Sequence, residues 1–409
     1  MVFMRSFKNV TVSRKCEQFL DGGHVWVYGE EIVSLDDGIA DGDIVDVYSP
    51  KHKYLGSGFY NGRSKIAVRV LSTNANDTFD EAFFARRVGY AVDYRRTVMG
   101  DLSNTRLIFG DADMLPGLIV DKFEDVLVTQ IMCLGIEQRK DMIFGALIEK
   151  LRACGETVSC VYERNDVDVR KKEGLDTGKG YYRSPLLHDV DETRFETVIT
   201  ENGVRYAVDF VNGQKTGFFL DQKFNRLAAA SIAKDKTVLD CFTHTGAFAL
   251  NCVKAGARHV TAVDISADAI AQSKRNAALN GCDDIEFVCE DVFAYLDRLI
   301  EEKRRPFDYI ILDPPAFTKS KKTVNAAFNG YKQINVQAMR LLPRGGYLAT
   351  CSCSHFMTDE LFRLMLQQAA KEANVQLKIL EYRQQAKDHP VLLGVPETQY
   401  LKFYIAQVV

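Results

Sequence analysis

The chain lacks several features that would decide its class at once. No stretch approaches the roughly 18 uninterrupted apolar residues of a membrane span, and the opening residues, Met1 to Lys8, lack the apolar core of a secretory signal. A cytoplasmic protein with no membrane partner is expected. Ten cysteines occur, yet none stand as Cys-x-x-Cys and their spacing is irregular, which argues against metal binding and against a disulfide framework. Most of them, Cys16, Cys133, Cys154, Cys160, Cys252 and Cys282 among them, read as small buried hydrophobes in a reducing compartment. Strong charge of one sign is also missing. A net charge of −3 leaves any nucleic-acid partner to local basic clusters rather than to the whole surface.

What is present suffices for two or three domains: 409 residues, 46% hydrophobic and 26% charged. The stretch Lys236–Ser266 reads as strand, tight turn, helix, strand. Thr237–Leu239 and His259–Val263 are short β-branched runs suited to a parallel sheet, and Ala247–Val253 between them is small and apolar at helical spacing. Asp240 and Asp264 stand at the strand ends, 24 positions apart. An acid at the end of the second strand of such a unit accepts the hydroxyls of a ribose, and the usual interval is about 20 residues. Capping of the helix expected at Ala267–Leu279 is the competing use of Asp264. The turn Phe242-Thr-His-Thr-Gly246 carries one glycine where a dinucleotide fingerprint needs three, which argues against NAD. A cofactor with an adenosine but no phosphates fits better, and S-adenosylmethionine is the common one.

Three domains are expected. Residues 1–78 alternate in short valine-rich runs such as Ile44–Tyr48 and Lys65–Leu71, the pattern of a small β-barrel. Residues 79–190 read as a small α+β domain with helices at Phe79–Arg96 and Ile136–Ala153 and a strand at Ser159–Arg164. Arg86, Arg87, Arg95 and Arg96 on the first of these helices either follow a phosphate backbone or form a solvated face. Lys171, Lys172, Lys179 and Arg183 make the following segment basic. Residues 191–409 form the third domain, a Rossmann-like α/β unit with a seven-stranded sheet, closed by the helix Asp359–Glu372 and the strands Gln376–Arg383 and Tyr400–Val408.

Chemistry concentrates in this third domain. Asn212–Gln222 interleaves polar residues with Phe218 and Phe219 just ahead of the cofactor strand, which either walls one side of the pocket or is a loop with buried phenylalanines. The strand Ile285–Cys289 ends in Glu290-Asp291, either of which can accept from an adenine amino group, while Asp291 also suits a helix N-cap. The cofactor-binding set expected is therefore Phe219, Asp221, Asp240, Phe242, Thr243, Thr245, Gly246, Asp264, Ile265, Ser266, Asn276, Glu290, Asp291, Val292, Asp313 and Pro314. Phe307–Leu312 runs into Asp313-Pro-Pro-Ala-Phe317, whose prolines fix the backbone at the sheet edge. Asp313 suits an amine-bearing base, Phe317 can stack on it, and Pro315, Lys319 and Lys321 complete the substrate side. Gly345–Ser354 brings Cys351 and Cys353 to the end of the next strand on one side of it. Cytosine C5 is too weak a nucleophile to take a methyl group unaided, and addition of a thiolate to C6 activates it. Cys353, nearer the carboxyl end, is the better nucleophile.

These motifs together resemble the bacterial large-subunit ribosomal RNA cytosine-C5 methyltransferases that carry an N-terminal PUA domain. The resemblance runs over essentially the whole chain, through His24-Val-Trp26, Leu115–Asp121, Gln214–Asp221, Asp240–Asp264, Asp313–Phe317 and Ser352-Cys-Ser354. It implies an RNA-binding barrel, S-adenosylmethionine as methyl donor, a ribosomal cytosine as substrate and Cys353 as nucleophile. Val25 stands where that family usually has proline. Pro315-Ala316 stands where the wider RNA cytosine-C5 enzymes carry a second cysteine, so the base that removes the C5 proton is open between Asp313, Lys319 and a water. An RNA guanine methyltransferase shares the Asp-Pro-Pro-aromatic strand end but lacks a cysteine corresponding to Cys353. An RNA-binding assembly factor without turnover is the alternative from another class. Whether two copies pair as a homodimer is left open by the sequence.

Overall fold

The computed structural model describes residues 7–318 and 320–409. Packing gathers them into two compact units. One comprises the front of the chain to Thr197 with Val208–Leu220 and Lys387–Thr398; the other comprises Val198–Ala207, Asp221–Ala386 and Gln399–Val409.

In the first unit a six-stranded sheet runs in the order Trp26–Tyr28, Ile66–Ser72, Tyr54–Tyr60, Ile44–Tyr48, Lys8–Val12, Ile32–Leu35. Alternate valines (Val10, Val12, Val45, Val47, Val68) turn inward and are fully buried, as period-two patterning requires. Gly58 is there for backbone proximity: a Cβ on it would lie 2.0 Å from the Arg69 carbonyl oxygen, beside a bulge in the pairing with Ile66–Ser72. A second, five-stranded sheet runs Gly178–Tyr181, Cys160–Asn165, Val126–Ile131, Leu118–Phe123, Asn104–Phe109. The helices Glu81–Met99 and Lys140–Ala153 share a core with it. That core also takes in Phe59 and Leu71 from the barrel strands, so the expected boundary at 78/79 cuts through packed side chains. Asp80 caps the longer helix by accepting from the Phe83 amide at 3.0 Å, two residues later than the sequence suggests.

In the second unit seven strands form one sheet: Thr237–Cys241 (β1), His259–Asp264 (β2), Ile285–Cys289 (β3), Tyr309–Leu312 (β4), Tyr347–Ser352 (β5), Leu377–Arg383 (β6) and Lys402–Val408 (β7). Their order is β3-β2-β1-β4-β5-β7-β6, with β7 antiparallel to both neighbours and the others parallel. The order reverses between β1 and β4, so the carboxyl ends of β1, β2, β4 and β5 border the crevice where doubly wound sheets bind ligands. A hairpin, Glu196–Glu201 and Val204–Asp209, adds a two-stranded sheet that the sequence reading omits. Its turn is Asn202-Gly203, both left-handed (φ 53° and 76°), the residue pair that a tight hairpin favours. Among the described residues no helix is long and apolar enough to cross a membrane.

Candidate active site

The turn after β1 is the most contorted backbone in the second unit. Phe242, His244 and Gly246 all adopt left-handed φ (62°, 50° and 78°) within five residues, a conformation that costs a non-glycine residue about 1 kcal/mol or more. Side chains around it hold it in place. Asp240 Oδ2 accepts from Thr243 Oγ1 at 2.6 Å and from the Ala249 amide at 3.0 Å. Asp264 Oδ2 accepts from the His244 amide and its Oδ1 from the Ser266 amide, both at 2.9 Å. Ser266 itself caps the helix Ala267–Leu279, so Asp264 is not the cap. Gly246 approaches that helix so closely that a Cβ would sit 3.2 Å from Ser273 Cβ.

Asp240 is fully buried, and its second oxygen, Oδ1, has no hydrogen-bond partner among the described residues. Loss of hydration pushes its carboxyl up to about 7, against the pull of the Thr243 and Ala249 donors. A buried acceptor left open in this way is suited to a cationic group arriving with a ligand.

At the other side of the crevice, Asp313 follows β4. Its Oδ1 accepts from Cys351 Sγ at 2.8 Å and from Gln222 Nε2 at 3.2 Å. Desolvation raises the carboxyl to about 6 in spite of these two donors. Cys351, on β5, is fully buried and its thiol is pushed far up by burial and by the neighbouring carboxylate, which makes it a poor nucleophile. Cys353, two residues on, is partly exposed. The segment that carries it is tied down on both flanks. Ser352 Oγ donates to Tyr331 Oη at 3.0 Å, the Ser354 amide bonds back to Ser352 Oγ at 3.3 Å, and Ser354 Oγ donates to the Thr318 carbonyl at 2.8 Å.

Comparison with known proteins agrees with this geometry. Residues 10–73 match a PUA-like domain, and residues 188–399 match the S-adenosylmethionine-dependent methyltransferases. Ribosomal RNA large subunit methyltransferase I of Shewanella denitrificans is 40% identical over 397 residues, 96% of this chain and 97% of the relative. The protein of that name from Aeromonas hydrophila is 42% identical over 386 residues, 93% and 94% of the two chains. The chain belongs to the ribosomal RNA large subunit methyltransferase I family. In fold it is also similar to a solved S-adenosylmethionine-dependent methyltransferase from Streptococcus mutans, with a TM-score of 0.81 at 22% identity over 98% of this chain and 100% of the other. A methyltransferase solved with SAH gives the same values.

S-adenosylmethionine is the cofactor of this methyltransferase, and the crevice has features that fit it. The open Oδ1 of Asp240 suits a cation. Each Asp264 oxygen accepts one amide and keeps a lone pair for a ribose hydroxyl. Ile265, next to it, is 67% exposed, an apolar surface for a flat ring.

Other residues expected to bind the cofactor have partners within the protein. Asn276 is wholly buried: its Oδ1 accepts from the Ala207 amide and its Nδ2 donates to the Thr245 carbonyl, both at 2.9 Å. It joins the turn to the hairpin and presents nothing to the crevice. Val292 is likewise core, Glu290 pairs with Arg298 at 2.8 Å, and Asp291 caps the helix Val292–Glu301 by accepting from the Ala294 amide. Phe219 lies in the first unit, its ring 4.6 Å from the Lys215 ammonium. Asp221 is buried and accepts from Tyr400 Oη at 2.6 Å.

On the substrate side, Pro314 is buried and Pro315 exposed. Phe317 packs against Tyr331 at 4.5 Å between ring centres, so one of its surfaces is already occupied. Lys321 is exposed in a short turn, and Lys319 lies outside the described residues. In the first unit Arg95 does not face a phosphate. It is fully buried and donates to Asp113 at 2.8 Å and to the Asp388 carbonyl at 2.9 Å. Tyr331 and Lys402 escape a reading of the sequence, since a polar residue within a packed helix or strand leaves no local pattern. Lys402 alone leaves a trace, a charge opening the apolar strand Lys402–Val408.

Proposed function

We propose that this methyltransferase modifies C5 of a cytosine in large-subunit ribosomal RNA, with Cys353 as nucleophile. S-adenosylmethionine supplies the methyl group as an electrophilic carbon on a cationic sulfur. The thiolate of Cys353 forms a bond to C6, and the C5–C6 π pair moves to C5, which thereby becomes nucleophilic. Once C5 is methylated, loss of its proton re-forms the C5–C6 double bond and expels the thiolate. Asp313 is the base that suits this last step: a carboxyl near 6 is mostly ionised at neutral pH, and both of its protein hydrogen bonds fall on Oδ1. Pro315, Phe317 and Lys321 border the base. The PUA-like barrel of residues 1–78 and the segment 79–190 hold the RNA, and residues 191–409 carry the chemistry.

The reading rests above all on the contrast between two cysteines of one strand end, Cys351 sealed and Cys353 partly open. Ribosomal RNA as substrate follows the names of the relatives, and the barrel agrees with it. Unmodified large-subunit ribosomal RNA incubated with protein and S-adenosylmethionine, then digested to nucleosides for mass spectrometry, tests both. 5-Methylcytidine formed by the wild type and not by Cys353→Ala is expected. A methylated guanosine, or 5-methylcytidine undiminished by the substitution, would overturn the assignment.

A further inference from the structure

Lys402 is the first residue of β7 and stands directly across from Ser352 of β5. It is only 3% exposed, and its Nζ donates to the Ser354 carbonyl at 2.6 Å and the Tyr400 carbonyl at 2.8 Å. Among the described residues it makes no ion pair with a carboxylate, which is unusual for a buried ammonium, since burying a charge without a counter-ion is costly. Asp359 acts on it only at longer range and is itself taken by Tyr404 Oη. The thiols of Cys353 and, more weakly, Cys351 lie within its electrostatic reach, and Cys353 is the residue just before the carbonyl it binds.

We propose that Lys402 is the counter-ion of the Cys353 thiolate: pinned by the Ser354 and Tyr400 carbonyls, its ammonium keeps that thiol ionised at neutral pH and fixes the segment that presents it. Two of the three ammonium protons go to the two carbonyls, and in the proposed ion pair the third is left for the sulfur. When the Cys353 S–H bond breaks, its proton leaves to water and the ion pair remains, so nothing is oxidised or reduced. Lys402 touches neither substrate nor cofactor in this scheme and is a positioning residue. It also balances what surrounds the thiol. Cys351 and Tyr331 face this strand end from β5 and the helix Val324–Leu341, Asp313 from β4 bonds the Cys351 thiol, and His355 follows in the same loop; none of these brings a positive charge that the structure fixes on the thiol. Burial lowers the lysine itself to about 8, which still leaves it mostly charged at neutral pH.

The inference rests on the reading of Cys353 as nucleophile, and the experiment separates the two. The rate of carboxamidomethylation at Cys353 by iodoacetamide is followed against pH by peptide mass spectrometry in wild type, Lys402→Met and Lys402→Arg. The midpoint is expected below the ordinary thiol value of about 8.5 in the wild type, higher by roughly one pH unit or more in Lys402→Met, and restored in Lys402→Arg. An unchanged midpoint in a folded Lys402→Met overturns the proposal. Should Lys402→Met not fold, the Lys402 titration is followed by NMR of the ¹³C-labelled side chain in wild type and Cys353→Ala. Linkage requires the lysine midpoint to fall when the thiol is removed, and no movement overturns the proposal equally. If instead the midpoints move as expected while Cys353→Ala still forms 5-methylcytidine, the ion pair stands and the nucleophile assignment falls.

Discussion

The Cys351 thiol donates to Asp313 Oδ1 across 2.8 Å, and joins the ends of β4 and β5 beneath the crevice. This pair gives the two cysteines of one strand opposite duties. Cys351 holds the carboxylate in place, and Cys353, partly exposed, is the nucleophile in the proposed reaction.

Substitution of the two cysteines should therefore have graded effects. Cys351→Ala leaves Asp313 with the Gln222 amide alone; loss of one such bond is worth about 1 kcal/mol, so methyl transfer should fall roughly fivefold. Cys351→Ser, which keeps a donor, should stay near wild type. Cys353→Ala should abolish transfer while leaving S-adenosylhomocysteine binding intact. Single-turnover assays with calorimetry of the product cofactor measure both, and an inert Cys351→Ala beside an active Cys353→Ala would reverse the two roles.

Asp240 predicts a pH dependence of stability. Its carboxyl is raised in the fold to about 7 from 3.8, so the unfolded chain ionises first as pH rises and the folded chain later. The contribution of Asp240 is therefore fully present below pH 3.8 and lost as pH climbs through about 7, by a few kcal/mol in order of magnitude. Asp240→Asn removes this dependence. Urea unfolding of the ligand-free protein at intervals between pH 4 and 8 should show the stability difference, wild type minus variant, declining across that window. A flat difference would mean that the carboxyl titrates normally.

The helix Ala267–Leu279 and the strand Ile285–Cys289 were legible to the residue, because an Asn-Gly end and β-branched runs mark them locally. The hairpin at Glu196–Asp209 has a local signal as well, Asn202-Gly203 between alternating residues. Asn276 is the opposite case. Its position beside the cofactor turn suggests a ligand, but it faces the hairpin's Ala207 amide, a neighbour 69 positions away that no local spacing reveals. The division into units was hidden for the same reason: Phe59 and Leu71 look like barrel residues and are shared with the helix Glu81–Met99.

Gly246 tests the cofactor turn. With φ at 78° and Ser273 Cβ 3.2 Å from the site of any added Cβ, alanine there must adopt a left-handed backbone and push Ser273 back by a few tenths of an ångström. The backbone alone costs about 1–2 kcal/mol. Gly246→Ala should lower the melting temperature by several degrees and weaken S-adenosylhomocysteine binding about tenfold, since the turn moves with it. Calorimetric titration and a thermal melt check the two halves. Unaltered affinity in a destabilised variant would show that the turn's shape is set independently of the cofactor.

Arg226 and Glu201 form a buried pair, with Nε and Nη2 donating to the two carboxylate oxygens at 2.7 and 3.0 Å, both side chains at most 3% exposed. The arginine, in the first helical turn after Gln222, anchors that helix, Lys223–Ala230, to the hairpin strand that ends at Glu201. Removing one partner strands the other charge in the interior. Arg226→Met should destabilise the protein by about 3–5 kcal/mol, as should Glu201→Leu. The double variant should recover part of that loss, because well-packed apolar replacements of an ion pair are often neutral, while the buried Asp221, which also acts on Arg226, loses the arginine's charge. Chemical denaturation of the four proteins closes the cycle: losses that simply add would mean that the two side chains act independently and that the carboxylate is hydrated once its partner is gone.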